Sequence, residues 1–260
     1  MIGGIAGRGA KSRERISHLI FAMNVVLEKI LQTKSVDDGN VQLPLHSYMD
    51  AEEGALIDQV FRTVKPDVSL ETGFAYGIST LFVCDALAAN GKAATHIVID
   101  PAQNSSFGGI GLKNIARAGY EHFIDFREEW SEIALPSLLA CGTHIQAAII
   151  DGGHTFDNVL VDFFYINKIL TVGGIVILDD TDWPSISRIA DHISTYPAYE
   201  LFATTTRPPN TTSRTKVRRA LARYLAGWVP KLRRAWDYPS CMAFRKIAED
   251  NRRHDWHVDF

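Results

Sequence analysis

Residues 68–77 read Val68-Ser69-Leu70-Glu71-Thr72-Gly73-Phe74-Ala75-Tyr76-Gly77. A short apolar run ends in an acid and turns at once through two glycines. Helical spacing follows over 78–89, and Asn90-Gly91 stops it. This strand–turn–helix unit sets the reading of the rest of the chain. Downstream, apolar strands are predicted over 96–100, 122–126, 147–151 and 175–178. Helices over 112–118, 133–140 and 159–170 alternate with them. After Pro184 a helix is predicted over 185–195, then two last strands over 199–205 and 240–247.

Strands that are apolar on both faces and alternate with helices imply a parallel sheet covered on both sides. The predicted fold is α/β: a doubly wound, mostly parallel seven-stranded sheet. Right-handed crossovers bring the strand C-terminal ends to one rim, where open sheets bind ligands. Glu71, Asp100, Asp151, Asp179 and Asp180 all fall at such ends. Loop acids are common, but five at one phase of the pattern point to a site.

Upstream, Asp50 is placed to cap a helix over 51–64, with Glu52 and Glu53 in its first turn. Apolar spacing predicts another helix over 12–33, and 34–48 reads as loop. The domain reading is a helical cap over 1–65 and a core over 66–260. The two cap helices are too apolar to stand free, so they cover the core or form a face for a homo-oligomer. A basic insertion over about 207–239 precedes the last strand. It carries nine Lys or Arg residues between Arg207 and Arg234. Three roles compete for it: a mobile lid, recognition of an anionic acceptor, or contact with a membrane surface through a basic amphipathic helix.

The 260 residues are 46% hydrophobic and 22% charged, which suits one globular α/β domain with an appendage. A net charge of −3 makes no general case for nucleic-acid binding. No apolar run is long enough to span a bilayer, and the basic start lacks the core of a secretory signal. Three cysteines, Cys84, Cys141 and Cys241, are too sparse for a disulfide framework and read as buried thiols in a reducing cytoplasm.

The turn after Glu71 would bring backbone N–H groups against a ligand. It lacks the third glycine of a dinucleotide fingerprint, and a carboxylate beside it would repel a pyrophosphate. That acid suits an ammonium or sulfonium charge. Asp100, 29 residues on, is placed to accept hydrogen bonds from ribose hydroxyls. A nucleoside with a positive, phosphate-free tail fits better than a dinucleotide. Asp151, Asp179 and Asp180, on neighbouring strand ends, offer the oxygen ligands that magnesium prefers. Caps and solvated acids are the alternative for the aspartates.

At this point the segments LETGFAYGIST, VIDPAQ, AIIDGGHTFDNV and GGIVILDDTDWPSI carry a resemblance. They resemble class I S-adenosylmethionine-dependent methyltransferases, and are similar to small bacterial O-methyltransferases of the macrocin, cephalosporin-pathway and catechol type. The likeness covers about residues 60–205 and weakly 240–260. It implies that Glu71, Gly73, Ala75, Tyr76, Gly77, Ser79, Thr80, Asp100 and Asp151 bind the cofactor. Ser79 and Thr80 have an alternative as helix-start residues. The resemblance also puts Arg127-Glu128-Glu129 near the adenine and makes Asp151, Asp179 and Asp180 ligands of Mg2+ or another divalent cation.

His154 corresponds to the lysine that acts as general base in the catechol-type enzymes. With Asp151 it completes the catalytic pair implied by the resemblance. Histidine in place of lysine leaves substrate or metal binding open for it. Trp183 either lines the acceptor pocket or packs. The implied reaction is metal-assisted O-methylation of a small-molecule hydroxyl, on a sugar or secondary metabolite. The alternatives are a metal-independent methyltransferase and, from another class, a catalytically silent cofactor-binding domain. A nicotinamide oxidoreductase is disfavoured because Tyr76 is followed four residues later by Thr80, and Tyr165 by Ile169, where a Tyr-x-x-x-Lys pair needs lysine.

Overall fold

Alternation of buried strands and amphipathic helices produces two apolar layers on either side of one sheet. The computed structural model describes residues 23–206 and 238–258. The first elements are α1 (Val25–Thr33), the strand pair β1 (Ser35–Asp37) and β2 (Gln42–Pro44), and α2 (Ala51–Val64). The core follows as β3 (Val68–Thr72), α3 (Ile78–Asn90), β4 (Thr95–Ile99), α4 (Ile110–Ala118), β5 (Ile124–Arg127) and α5 (Ser131–Ala140). It continues with β6 (Ile145–Ile150), α6 (Phe156–Ile169), β7 (Leu170–Leu178), α7 (Pro184–Ser194), β8 (Tyr199–Thr204) and β9 (Met242–Lys246).

The seven-stranded sheet has the order β5-β4-β3-β6-β7-β9-β8. Strands β3 to β7 pair in parallel, and β9 runs antiparallel to both β7 and β8. Successive strands leave β3 in opposite directions, so the crevice between β3 and β6 is the switch point where open α/β sheets take ligands. Side-chain alternation divides the core. Ala147 and Ile149 of β6 join one apolar cluster, Ala148 and Ile150 the other.

Four expectations change. Residues 34–48 contain the β1–β2 hairpin, because Val36 is fully buried and its strand pairs Ser35 with Pro44 through Asp37 with Gln42. The strand expected from 122 begins at Ile124, since 121–123 form a 3-10 turn. Strand β7 begins at Leu170, well before Gly173-Gly174, because Leu170 already pairs with Ile145. Cys141 is exposed at the end of α5, whereas Cys84 and Cys241 are buried.

Among the described residues, α1 covers the core. Leu27 and Ile30 are buried in the first cluster, and the Asn24 side chain donates to the Ala118 carbonyl. Helix α2 carries a full capping box between Asp50 and Glu53. The rest of the expected N-terminal helix, 12–22, and nearly all of the basic insertion, 207–237, lie outside the described residues. No helix among the described residues is long and apolar enough to cross a membrane.

Candidate active site

A cavity of about 950 Å³ opens over the C-terminal ends of β3, β4, β6 and β7. Gly73, Ala75, Ser79, Asp100, Asp151, His154, Asp179, Asp180 and Trp183 all contribute to its wall. Its size and mixed lining fall in the range of small-molecule sites.

The glycine turn is held from three sides. The Gly73 N–H donates to the Ile99 carbonyl of β4 at 2.9 Å, and the Asp151 N–H to the Thr72 carbonyl at 2.9 Å. Asp100 is 5% exposed, and its Oδ2 accepts from the N–H groups of Phe74 and Ala75 at 2.8 and 3.0 Å. The carboxylate expected to meet a ribose therefore also shapes the turn. Ala75 has φ +46 and Gly77 φ +75, so the backbone doubles back sharply before α3.

Glu71 is placed differently from the other expected cofactor residues. It is fully buried and is not on the cavity wall. Its carboxylate accepts from the Ser79 hydroxyl, from Thr80 Oγ1 at 2.6 Å, and meets His96 Nε2 at 3.1 Å. His96 Nδ1 in turn lies 2.9 Å from Ser69 Oγ. Glu71 thus anchors the start of α3 from beneath. Thr80, Tyr76 and Gly77 also stand behind the wall. The Tyr76 hydroxyl reaches His46 Nε2 at 2.8 Å, tying the segment before α2 to the glycine turn.

At the other end of the cavity, ligand atoms of Asp151, His154 and Asp180 lie within 4.8 Å of one another. His154 Nε2 is 2.7 Å from Asp180 Oδ2, and the imidazole stacks on Trp183 at 5.1 Å between ring centroids. That contact with Asp180 raises the His154 pKa above its ordinary value, against the opposing effect of partial burial. Burial pushes the Asp151 carboxyl well above the usual range, and the neighbouring Asp179, Glu71 and Asp180 charges push the same way. Asp180 itself adopts φ +51, a left-handed conformation that aspartate and asparagine tolerate better than most residues.

Asp179 lies against Asp151, with a side-chain hydrogen bond between the two carboxyl groups. Its carboxylate takes the Cys241 thiol, and it forms a second cluster with Cys241 and Glu53 within 4.8 Å. All three expected metal ligands stand on the cavity wall, Asp151 and Asp180 together with His154, and Asp179 beside Asp151. Three carboxylates on one wall, with an imidazole beside them, fit a divalent cation. Crowded carboxylates whose protons are held by burial and mutual repulsion are what such a cation would relieve.

Arg127 is tied to Asp125 at 3.0 Å, and Glu128 accepts from Asn104 Nδ2 at 2.7 Å; neither lies on the cavity wall. Trp130 and Ser131, a few residues on, do. Lys34, Tyr48 and Met49 are wall residues that sequence reasoning missed. They belong to a polar, turn-rich stretch with no periodicity to mark it.

Comparison with known proteins agrees with this geometry. Residues 70–181 match the family model described as a methyltransferase domain. A probable caffeoyl-CoA O-methyltransferase of Arabidopsis thaliana is 30% identical over 165 residues, which span 60% of this chain and 65% of that protein. A flavonoid 3',5'-methyltransferase of Vitis vinifera is 26% identical over 184 residues, spanning 68% of this chain and 74% of that protein. The match thus leaves about a third of the Arabidopsis relative's length unspanned.

Among solved structures, an O-methyltransferase from Bacillus cereus in complex with SAH superposes with a TM-score of 0.62 at 14% identity, covering 91% of this chain and 97% of that one. The O-methyltransferase TomG of Streptomyces achromogenes, in complex with SAM, gives 0.62 at 14% identity, covering 94% and 100%. Residues 70–181 thus match a methyltransferase domain, and the chain shares the fold of these solved O-methyltransferases.

Proposed function

We propose that the protein is an S-adenosylmethionine-dependent O-methyltransferase that acts on a hydroxyl of a small molecule, a sugar or secondary metabolite, with help from a divalent cation. The observation that carries this is the pairing of two half-sites in one cavity. Asp100 and the glycine turn stand at one end, and Asp151, His154 and Asp180 at the other. The O-methyltransferase relatives support the transfer to oxygen.

Asp100 would hold the ribose of the cofactor, with the glycine turn beside the methionine part. Asp151, Asp179 and Asp180 would hold the cation, which when bound supplies Lewis-acid polarisation of the acceptor hydroxyl. The reaction forms an acceptor O–CH3 bond and breaks the S–CH3 bond, turning the sulfonium into a thioether. The hydroxyl proton needs a destination. With Nε2 donating to Asp180, Nδ1 of a neutral His154 is left as the acceptor. Trp183, stacked on that ring, fixes its plane.

The His154–Asp180 contact also favours a second reading, a histidine base oriented by an aspartate with no cation required. Methyl transfer to a panel of hydroxylated acceptors, with magnesium and with excess chelator, separates the two. Loss of transfer on chelation supports the cation. Full transfer in chelator leaves the histidine base alone. No transfer to any hydroxyl acceptor, with the cofactor bound, counts against both.

A further inference from the structure

The cavity wall carries seven carboxylate side chains and, among the described residues, one lysine and no arginine. That lysine is Lys34. Its ammonium donates to the Tyr48 hydroxyl at 2.8 Å and lies 4.5 Å from the centre of the same ring. Its backbone is fixed: it ends α1 in a left-handed conformation, its N–H donates to Ile30, and its carbonyl accepts from Leu45. Among the described residues no carboxylate pairs with it. A lysine in an acidic cavity that is held by a phenol keeps its charge available for a ligand.

The position of Tyr48 shows which end of the cavity this charge serves. Two residues earlier, His46 bonds the Tyr76 hydroxyl of the glycine turn. Two residues later, Asp50 caps α2. The segment therefore runs from the glycine turn to the start of α2, with Ile78 and Ser79 of α3 on the same cavity wall. Gly77 is the N-cap of α3 and supplies no side-chain cap, so the first-turn N–H groups are left to favour an anion. Beneath them, however, lies the Glu71 carboxylate, bound to the Ser79 and Thr80 hydroxyls. An anion above that turn meets this buried negative charge and needs a cation of its own. Lys34 is the one the wall offers.

We infer that Lys34, presented by Tyr48, binds the amino-acid carboxylate of S-adenosylmethionine. This rests on the cofactor reading proposed above. A carboxylate on an acidic acceptor has the same chemistry, and the experiment separates the two sources.

Calorimetric titration of the whole chain with two ligands tests the assignment. S-adenosylhomocysteine carries the carboxylate; 5'-deoxy-5'-methylthioadenosine has the same nucleoside without the amino acid. Lys34→Met is expected to weaken the first about tenfold to a hundredfold, the worth of a charge-assisted hydrogen bond. It should leave the second within about twofold, and Lys34→Arg should recover most of the loss. Thermal melts of both variants control for folding. Equal loss for both ligands would make Lys34 a merely structural residue and overturn the assignment. Unchanged S-adenosylhomocysteine affinity would also overturn it, and would leave the lysine to an acidic acceptor. A wild-type chain that binds neither ligand overturns the cofactor reading itself, and the assignment with it.

Discussion

Gly73 stands so close to Asp151 that a Cβ on it would lie 2.1 Å from the Asp151 carbonyl oxygen. The glycine is required by the close approach of two strand ends as well as by its φ of +89. The cofactor turn and the proposed cation end are thus one rigid unit, joined through the backbone.

Gly73→Ala is therefore expected to affect both ends of the site together. Left-handed strain and overpacking together cost about 3 kcal/mol. The urea midpoint should fall, and cofactor affinity with it. A variant with unaltered stability would show that the turn can move away from Asp151 freely.

Asp162 supplies a test of the packing behind the site. It is 2% exposed, and burial pushes its carboxyl up to about 6, against the Ser131 and Thr72 hydroxyls. A folded-state pKa above the ordinary 3.8 means that folding favours the protonated form. Stability is fully present below the ordinary value and declines as pH rises to about 6. Asp162→Asn removes that dependence. It should stabilise the protein by up to about 3 kcal/mol at pH 8 and by little at pH 4, read from denaturant melts at both values. Equal effects at the two pH values would contradict the burial argument.

His154 and Asp180 make a kinetic prediction. Asp180 holds the His154 proton more firmly than solvent would. A base works only without that proton, so turnover should rise with pH through a midpoint above histidine's ordinary 6.5. Asp180→Asn, which tolerates the same left-handed backbone, should move that midpoint down. His154→Ala should lower turnover about 100- to 10,000-fold and abolish the pH step. A pH profile unchanged in His154→Ala would place the base elsewhere.

The alternation that defines the sheet was legible from the apolar runs, because parallel strands buried on both faces leave a continuous hydrophobic signature. The rim acids were legible for the same reason: each ends such a run. What each acid does was not. Glu71 faces His96 because Ser69 and His96 are register partners on adjacent strands, a pairing that no local pattern contains. Asp179 also lies against Cys241 and Glu53, 62 and 126 residues away in the chain, so this second set of contacts had no sequence signal. The β1–β2 hairpin was missed because strands of three residues in a polar stretch show no periodicity.

The most direct test of the central claim is a titration of S-adenosylhomocysteine into the wild-type protein, with magnesium and again in excess chelator. One ligand should bind per chain, with nearly the same affinity in both conditions, because Asp100 and backbone hydrogen bonds hold the glycine turn without a cation. Absence of binding in both conditions would contradict the assignment of this cavity to S-adenosylmethionine.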